Sequence, residues 1–380
     1  MNATITKKEK TKKKLTAGRV IGRIILSLFT ILILAVFALY MVCFTVARGP
    51  SVTVRDMLVL SAKQASATKW IPSLFLDQAT IDEICSKSEE VTIDVMSAEE
   101  YAAMHSPSTD TEAAVTDEWE GAVDNIQLMT YSGNTFKAYV MLIKDPSRVF
   151  VGASSDNFQT AEYGKNIFDI ISKYDAVGGI NGGEFLDKGG MGTGGRPMGL
   201  TYSKGECVWN DSLKRTFIGF DANDRLVVAE SMTFSEAESL GIRDAVSFQN
   251  GNVLIDLTDG NVNLHYASSN TGTAQRTAIG QRADGTVIMI VTDGRSASSL
   301  GATHNDMIDM MVSYGAVNAA MLDGGSSAMM YRENYFDSYA AFKDATLDQY
   351  QERGLVNKYK AFTSPRLIPT YFLISREDAE

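Results

Sequence analysis

The stretch AVNAAMLDGGSSAMMY, residues 316–331, joins an apolar run to one aspartate, two glycines and two serines. The run ends at Leu322 and predicts a buried strand, with Asp323 where that strand leaves the core. Consecutive glycines let backbone N–H groups converge on an anion, and serine hydroxyls extend such a concavity. An aspartate beside it can act on a bond next to a bound phosphate, as acid, base or nucleophile. The simpler interpretation is a sharp turn at the strand exit. Other segments of the chain are needed to distinguish an anion-binding site from a simple turn.

Three further segments combine a strand end with glycines and polar side chains. They are NGGEF at 181–185, QRTAIG at 275–280 and DGR at 293–295. Each is a weak signal alone, because Asp-Gly is a common turn dipeptide and Arg276 also fits a simple strand-end charge. Ordinary hairpin turns explain three other aspartates, which lie between two β-runs: Asp224, Asp259 and Asp284.

Strand patterns dominate the chain from Asn125 onward. Runs of β-formers separated by polar turns predict a series of hairpins, among them IQLMTYSG with FKAYVMLIKD. A helix is expected between Thr303, which caps it, and Gly315, which closes it. The sequence therefore predicts a single α+β domain at 125–377, rich in antiparallel strands and with a few packed helices.

The N-terminal region predicts a membrane anchor. Residues 24–47 contain no charged side chain, and a helix of this length spans the hydrocarbon core of a bilayer. The first 23 residues carry eight Lys and Arg against Glu9 alone. The positive-inside rule then gives a cytoplasmic tail at 1–23, a transmembrane helix at 24–47 and an exported remainder. This is the arrangement of a single-pass type II protein of the plasma membrane, with its catalytic domain extracellular.

Residues 48–124 predict a membrane-proximal stalk. Two segments have helical apolar spacing, Pro72 separates them, and a polar linker follows. Asp77 or Thr80 is the expected cap of the second helix. Only Cys85 and Cys207 lie in the exported part, and their spacing leaves a disulfide between them open.

The net charge of the chain indicates which classes of partner are expected. Beyond residue 23 the chain holds 27 basic and 45 acidic residues, a net charge of −18. A nucleic acid is therefore not an expected partner. The three histidines do not cluster in the sequence, so a histidine metal site is not expected either.

The four segments, taken in order, resemble the phosphodiester glycosidase family over residues 125–375. The resemblance rests on NGGEF, QRTAIG, DGR and the longer match GATHNDMIDMMVSYGAVNAAMLDGGSSAMM at 301–330. Family members usually carry an aromatic residue where Glu184 stands and a glutamate where Asp306 stands. These departures concern the sugar pocket and the length of one acidic side chain.

The resemblance implies hydrolysis of a sugar-1-phosphodiester, such as a GlcNAc-1-phosphodiester, in a cell-surface glycan or phosphopolysaccharide. It implies two catalytic carboxylates, Asp323 and Asp293, with Asp306 as a third candidate. Asn181 is expected to hold sugar hydroxyls, and Arg276 to hold the phosphate with the backbone of residues 324–327. The full substrate-binding set is Asn181, Gly182, Gly183, Arg276, Arg295, Gly324, Gly325, Ser326 and Ser327. No cofactor is required, although a divalent cation beside the phosphate is possible.

Two other interpretations belong to different classes of protein. A non-catalytic binder or assembly factor for a cell-envelope phosphopolymer or exopolysaccharide would use the same concavity to hold a sugar phosphate. An acyl-transfer enzyme would use Ser326 as its nucleophile. The sequence disfavours the second, because DGGSS is not the Gly-x-Ser-x-Gly elbow and no histidine follows His304.

Overall fold

The computed structural model describes residues 17–63, 68–88, 90–105, 118–187, 192–268, 271–294, 299–359 and 364–377. The chain divides into two compact units, residues 1–55 and 56–380. The first contains helix α1, Ala17–Arg48, whose apolar part Val20–Arg48 has a mean hydropathy of 2.8 and is long enough to cross a membrane. Such a helix fits a membrane anchor or a signal sequence, and it contains the predicted span 24–47. Most of the predicted basic tail lies outside the described residues.

Short helices accompany the strands in the rest of the chain. The described α-helices after α1 are α2 (Val52–Lys63), α3 (Gln78–Ser88), α4 (Ala98–His105), α5 (Ile167–Tyr174), α6 (Phe234–Leu240), α7 (His304–Ser313) and α8 (Tyr335–Ser338).

The strands of the described residues form three sheets, in which every pair of neighbours is antiparallel. The eight-stranded sheet has the order β1-β12-β11-β15-β13-β14-β3-β2, the five-stranded sheet β7-β6-β10-β8-β9, and the four-stranded sheet β16-β5-β17-β4. The strands are β1 (Val91–Ser97), β2 (Ile126–Ser132), β3 (Lys137–Ile143), β4 (Val149–Ala153), β5 (Ala176–Asn181), β6 (Leu200–Ser203), β7 (Glu206–Asn210), β8 (Thr216–Asp221), β9 (Leu226–Ala229), β10 (Ile242–Phe248), β11 (Val253–Thr258), β12 (Asn261–Ala267), β13 (Thr277–Arg282), β14 (Val287–Thr292), β15 (Ala316–Leu322), β16 (Met330–Arg332) and β17 (Thr370–Ser375).

The α+β class and the hairpins expected from the sequence are confirmed. β2 pairs with β3 and β13 pairs with β14, as the alternating β-formers predict. Thr303 caps α7, and Asp77 accepts from the N–H of Thr80 at the start of α3. The cysteines, Cys43, Cys85 and Cys207, are all free thiols, so the disulfide left open by the sequence is absent.

Part of the predicted stalk, residues 48–124, belongs to the main sheet. β1 pairs along its full length with β12, from Val91 opposite Ala267 to Ser97 opposite Asn261. The hydroxyl of Tyr101, on α4, donates to the carbonyl of Ala316 at 2.8 Å. The compact unit accordingly begins at residue 56 and not at 125.

The centre of the large sheet carries the core and fixes the position of the site. All six residues of β14 are buried, as are all but the last of β13. Thr277, the first residue of β13, is paired with Leu322 on one side and Val291 on the other. The chain entering β13 therefore runs between the exits of β14 and β15. This register brings Arg276 between the two strand ends that carry Asp293 and Asp323.

Candidate active site

Asn181 joins the strand ends that meet at this place. Its side-chain Nδ2 donates to the carbonyl of Asp323 at 2.6 Å, and its Oδ1 accepts from Thr277 Oγ1 at 2.8 Å and the N–H of Met329 at 3.0 Å. The side chain is fully buried. The expectation that Asn181 holds sugar hydroxyls is therefore revised, because its amide is occupied by protein groups that it positions.

The glycines after Asn181 are explained by crowding. The N–H of Gly182 donates to the carbonyl of Thr370 at 2.9 Å, and that of Gly183 to Thr370 Oγ1 at 3.3 Å. A Cβ at Gly183 would collide with the carbonyl oxygen of Ser247 and lie 2.9 Å from Val246 Cβ. These donors are used within the fold, so they do not form the anion-binding concavity that the sequence predicts.

The second glycine pair lies in a more open place. A Cβ at Gly324 would lie 2.7 Å from the carbonyl oxygen of Gln275, whereas none of the described atoms lies within 4 Å of a Cβ at Gly325. Gly325 has φ +59°, which favours glycine. Its N–H donates to Gln275 O at 2.8 Å, and the N–H of Ser327 donates to Gly324 O at 3.1 Å. Part of the backbone at 324–327, which was predicted to bind the phosphate, is thus hydrogen-bonded within the protein. The side chain of Ser326 is exposed.

Asp323 is the carboxyl group of this loop. It lies partly buried at the exit of β15, and burial raises its pKa to about 6. The fully buried Ser327, the charge of Arg366 and the N–H of Gly324 oppose that rise in the pKa, and the negative charge of Glu184 adds to it. A carboxyl group with a pKa in this range is suited to exchange a proton near neutral pH.

Arg366 is a site residue that the sequence analysis missed. Its Nη2 forms an ion pair with Asp187 Oδ2 at 2.5 Å, and its Nη1 donates to Ser326 Oγ at 3.3 Å. The guanidinium carbon lies 4.8 Å from the centre of the Phe185 ring. The sequence marks Arg366 only as a lone arginine between Pro365 and the last strand. Nothing distinguishes it there from an ordinary charged residue in a loop.

Arg276 has a different environment from the one predicted. Its Nε donates to the carbonyl of Ala302 and its Nη2 to the carbonyl of Gly272, each at 3.2 Å. Its backbone N–H donates to Thr292 Oγ1 at 2.8 Å. The side chain therefore ties the loop before β13 to the loop before α7, which is a structural task.

Asp293 lies at the exit of β14, on the other side of β13 from Asp323. Its Oδ2 accepts from the hydroxyl of Tyr139 at 3.4 Å, and its Oδ1 from the N–H of Lys358 at 3.3 Å. Burial raises the pKa of Asp293, and Lys358, Tyr139 and Lys137 counteract the increase. Two strand spacings, about 10 Å in all, separate β14 from β15.

The segment after Asn357 connects these two carboxyl groups. Lys358 contacts Asp293 through its backbone, and the hydroxyl of Tyr359 donates to the carbonyl of Ser326 at 2.6 Å. Asn357 is fully buried and bonds to Met330 and to the carbonyl of Ala328. The structure thus brings Asp293 and Asp323 to one end of the large sheet, as the strand-exit pattern suggested.

Asp306 is a helix cap. Its Oδ2 accepts from both the N–H and the hydroxyl of Thr303 at 2.7 Å, and its own N–H donates back to Thr303 Oγ1 at 3.1 Å. This reciprocal capping box explains the acid without a catalytic task. Arg295, the remaining predicted residue, lies outside the described residues.

Within the described ranges, no group of three or more His, Cys, Asp or Glu is placed to hold a metal ion. A divalent cation beside the phosphate stays a prediction.

Comparison with known proteins gives one family. A family model described as "Phosphodiester glycosidase" matches residues 174–374, more than half of the chain. The SPbeta prophage-derived uncharacterized protein YomE of Bacillus subtilis (strain 168) is 53% identical over 53 residues, which are 14% of this chain and 8% of that protein.

Two solved structures resemble the chain at low sequence identity. The catalytic domain of zebrafish N-acetylglucosamine-1-phosphodiester alpha-N-acetylglucosaminidase, auto-inhibited by its pro-peptide, has a TM-score of 0.49 and 16% identity over 76% of this chain and 89% of that one. A hypothetical protein from Synechocystis has a TM-score of 0.43 and 14% identity over 66% of this chain and 62% of that one.

Proposed function

Because this chain belongs to the phosphodiester glycosidase family, we propose that it hydrolyses a sugar-1-phosphodiester to a free sugar and a phosphomonoester. The observation that carries the proposal is Asp323, a carboxyl group with a pKa raised to about 6 beside the cationic Arg366. Both residues lie within the part of the chain that the family model matches. The bond at the anomeric carbon is the one to break, since phosphate is a good leaving group.

The phosphate is held by Arg366 and Ser326. The guanidinium of Arg366 has five N–H donors in a fixed fork, and its ion pair with Asp187 leaves donors for a phosphate oxygen. Ser326 is exposed and its hydroxyl lies within hydrogen-bonding distance of Arg366. This pair replaces the predicted one, since Arg276 is bound to backbone carbonyls.

Asp323 gives the proton. A bound phosphate adds negative charge beside a carboxyl group that burial already disfavours as an anion, so its pKa rises further in the complex. Asp323 then holds a proton that it donates to the leaving phosphate oxygen as the bond to C1 breaks.

Asp293 is the second carboxyl group of the reaction. Burial raises its pKa, and Lys358, Tyr139 and Lys137 oppose that rise. In its ionised form it can stabilise an oxocarbenium-like state or activate a water on the opposite side of the sugar. The two strand spacings between Asp293 and Asp323 leave room for a sugar ring between them.

The proposed location follows from α1. If α1 stays in the membrane with the lysine-rich tail in the cytoplasm, the unit from residue 56 faces the outside. Its substrate is then a sugar phosphate of a surface glycan, of which a GlcNAc-1-phosphodiester is the first to test.

The test uses the purified full chain in detergent and a panel of sugar-1-phosphodiesters, with free sugar as the readout. We expect release that Asp323→Asn lowers by about a thousandfold, since it removes the proton donor. Asp306→Asn is the matched control and should keep most of the activity, because it alters only the cap of α7. Binding of a panel member without any release contradicts the proposal and supports a binder of surface phosphopolymers.

A further inference from the structure

Glu184 lies beside the proposed acid but has no part in the proposed reaction so far. The N–H of Asp323 donates to the carbonyl of Gly182 at 3.2 Å, which places the loop of Glu184 against the exit of β15. The N–H of Glu184 donates to Ser247 O at 2.8 Å, so this loop is fixed to β10 as well. The negative charge of Glu184 adds to the rise that burial causes in the pKa of Asp323.

An ion pair holds Glu184 in this place. Its Oε2 lies 2.9 Å from Nε of Arg215, and the two side chains are only 17% and 23% exposed. Burial raises the pKa of Glu184, and the like charge of Asp211 adds to that rise, whereas Arg215 and the hydrogen bond with Gln249 oppose it and favour the carboxylate. Arg215 directly precedes β8, in a different sheet from Asp323, so Glu184 is fixed from outside the large sheet.

We propose that Glu184, held by Arg215, is a positioning residue that keeps a negative charge beside Asp323 and so directs the catalytic proton to Asp323. Two neighbouring carboxyl groups do not readily ionise together, and the one with the closer cation ionises first. Glu184 has its guanidinium at 2.9 Å, so it takes the charge and Asp323 keeps the proton. The catalytic meaning of this pairing rests on the proposed function.

The test follows the Asp323 carboxyl by ¹³C NMR of the full chain in detergent, labelled at aspartate Cγ. The resonance is assigned by its loss in Asp323→Asn. Glu184→Gln should lower the apparent pKa of Asp323 by about 1 unit, because a like charge is removed. Arg215→Gln should lower that pKa as well, because Glu184 without its counterion takes up the proton and no longer keeps a negative charge beside Asp323.

A lowered pKa of Asp323 in both variants is the decisive result. A merely structural role would weaken the fold in both variants and shift the pKa in neither. Arg215→Lys, which keeps the charge, should leave the pKa near that of the wild type if the glutamine variant does not fold. Glu352→Gln, at an exposed glutamate, is the matched control and should change nothing.

The readout separates this inference from the proposed function, because the titration needs no substrate. A lowered pKa of Asp323 in both variants of a protein that releases no sugar supports the pairing and contradicts the proposed function. Sugar release with an unchanged pKa in both variants overturns the pairing alone. Where both hold, the pH at which hydrolysis declines should move with the pKa of Asp323 in each variant.

Discussion

The chain contains the same short pattern twice, Asn-Gly-Gly at 181–183 and Asp-Gly-Gly at 323–325, each directly after a buried strand. In the first copy the N–H groups of both glycines donate to Thr370, and the polar side chain is fully buried. In the second copy the polar side chain is partly exposed and ionisable, and Gly325 borders open space.

The difference lies in what surrounds each pair. The first is enclosed by β10 and β17 and joins sheets to one another, so its glycines are needed for close packing. The second leaves the sheet at the end where Arg366, Glu184 and the segment 357–359 lie. Similar residues therefore hold sheets together at 181–183 and form part of a candidate active site at 323–325.

Exchanging the polar residues tests this difference most severely. Asn181→Asp should cost at least about 4 kcal/mol, because it replaces an amide donor to Asp323 O by a carboxylate in a fully buried position. Asp323→Asn should leave the fold intact at pH 7. Thermal and urea unfolding of both variants measures the two effects. Equal losses would show that the two positions are equivalent after all.

A methyl group at each glycine pair is the next comparison. Gly183→Ala should lose about 3 kcal/mol of stability, since the new Cβ collides with the carbonyl of Ser247. Gly325→Ala should lose only about 1 kcal/mol, because the cost comes from its positive φ and no described atom lies in the way. Urea unfolding gives both values. A Gly325 variant as unstable as the Gly183 variant would contradict the open environment.

The two arginines near the second pair should separate activity from stability. Arg366→Gln should reduce kcat/KM about 30-fold, close to 2 kcal/mol, mainly through KM, because the phosphate loses its cation. Arg276→Gln should instead lower stability, since its guanidinium ties two loops together. Kinetics on folded protein and unfolding curves give the two readouts. An equal rise in KM for Arg276→Gln would show that Arg276 binds the phosphate, as the sequence predicts.

The pH dependence of stability tests the carboxyl group of the second pair directly. The folded pKa of Asp323, about 6, lies above its ordinary value, so the folded state binds this proton more tightly than the unfolded state does. The resulting stability is present below pH 4 and is lost as the pH rises through 6. The wild type should therefore lose about 2 kcal/mol relative to Asp323→Asn between pH 4 and 7. Unfolding at both pH values measures it, and parallel curves would show an unperturbed carboxyl group.

Local patterns explain which features the sequence predicted. Alternating β-formers gave the hairpins, Thr303 gave the start of α7, and the apolar runs before Asp293 and Asp323 gave two carboxyl groups at strand exits. The pattern also suggested Asp306, but a carboxylate three residues after a Thr cap serves the helix just as well. Local sequence does not distinguish the two tasks.

The residues that escaped prediction depend on distant parts of the chain. Arg366 reaches the site only because β17 pairs with β5, which carries the loop of Phe185 and Asp187. Glu184 meets Arg215 through the five-stranded sheet. Arg276 binds backbone carbonyls, which every residue has and no motif records. Such neighbours follow from sheet order, and the order of the strands was not readable from their sequences.

The pairing of β1 with β12 has a practical consequence for anyone who wants the chain without α1. Removing everything before residue 125 would strip this strand away and leave the long edge of β12 unpaired. The same cut would take away Ser61, whose hydroxyl accepts from the N–H of Thr273 at 3.2 Å in the loop that Arg276 holds. An exposed β-edge recruits further copies of the chain, so such a fragment should aggregate. A soluble version that begins near residue 56 keeps the edge covered.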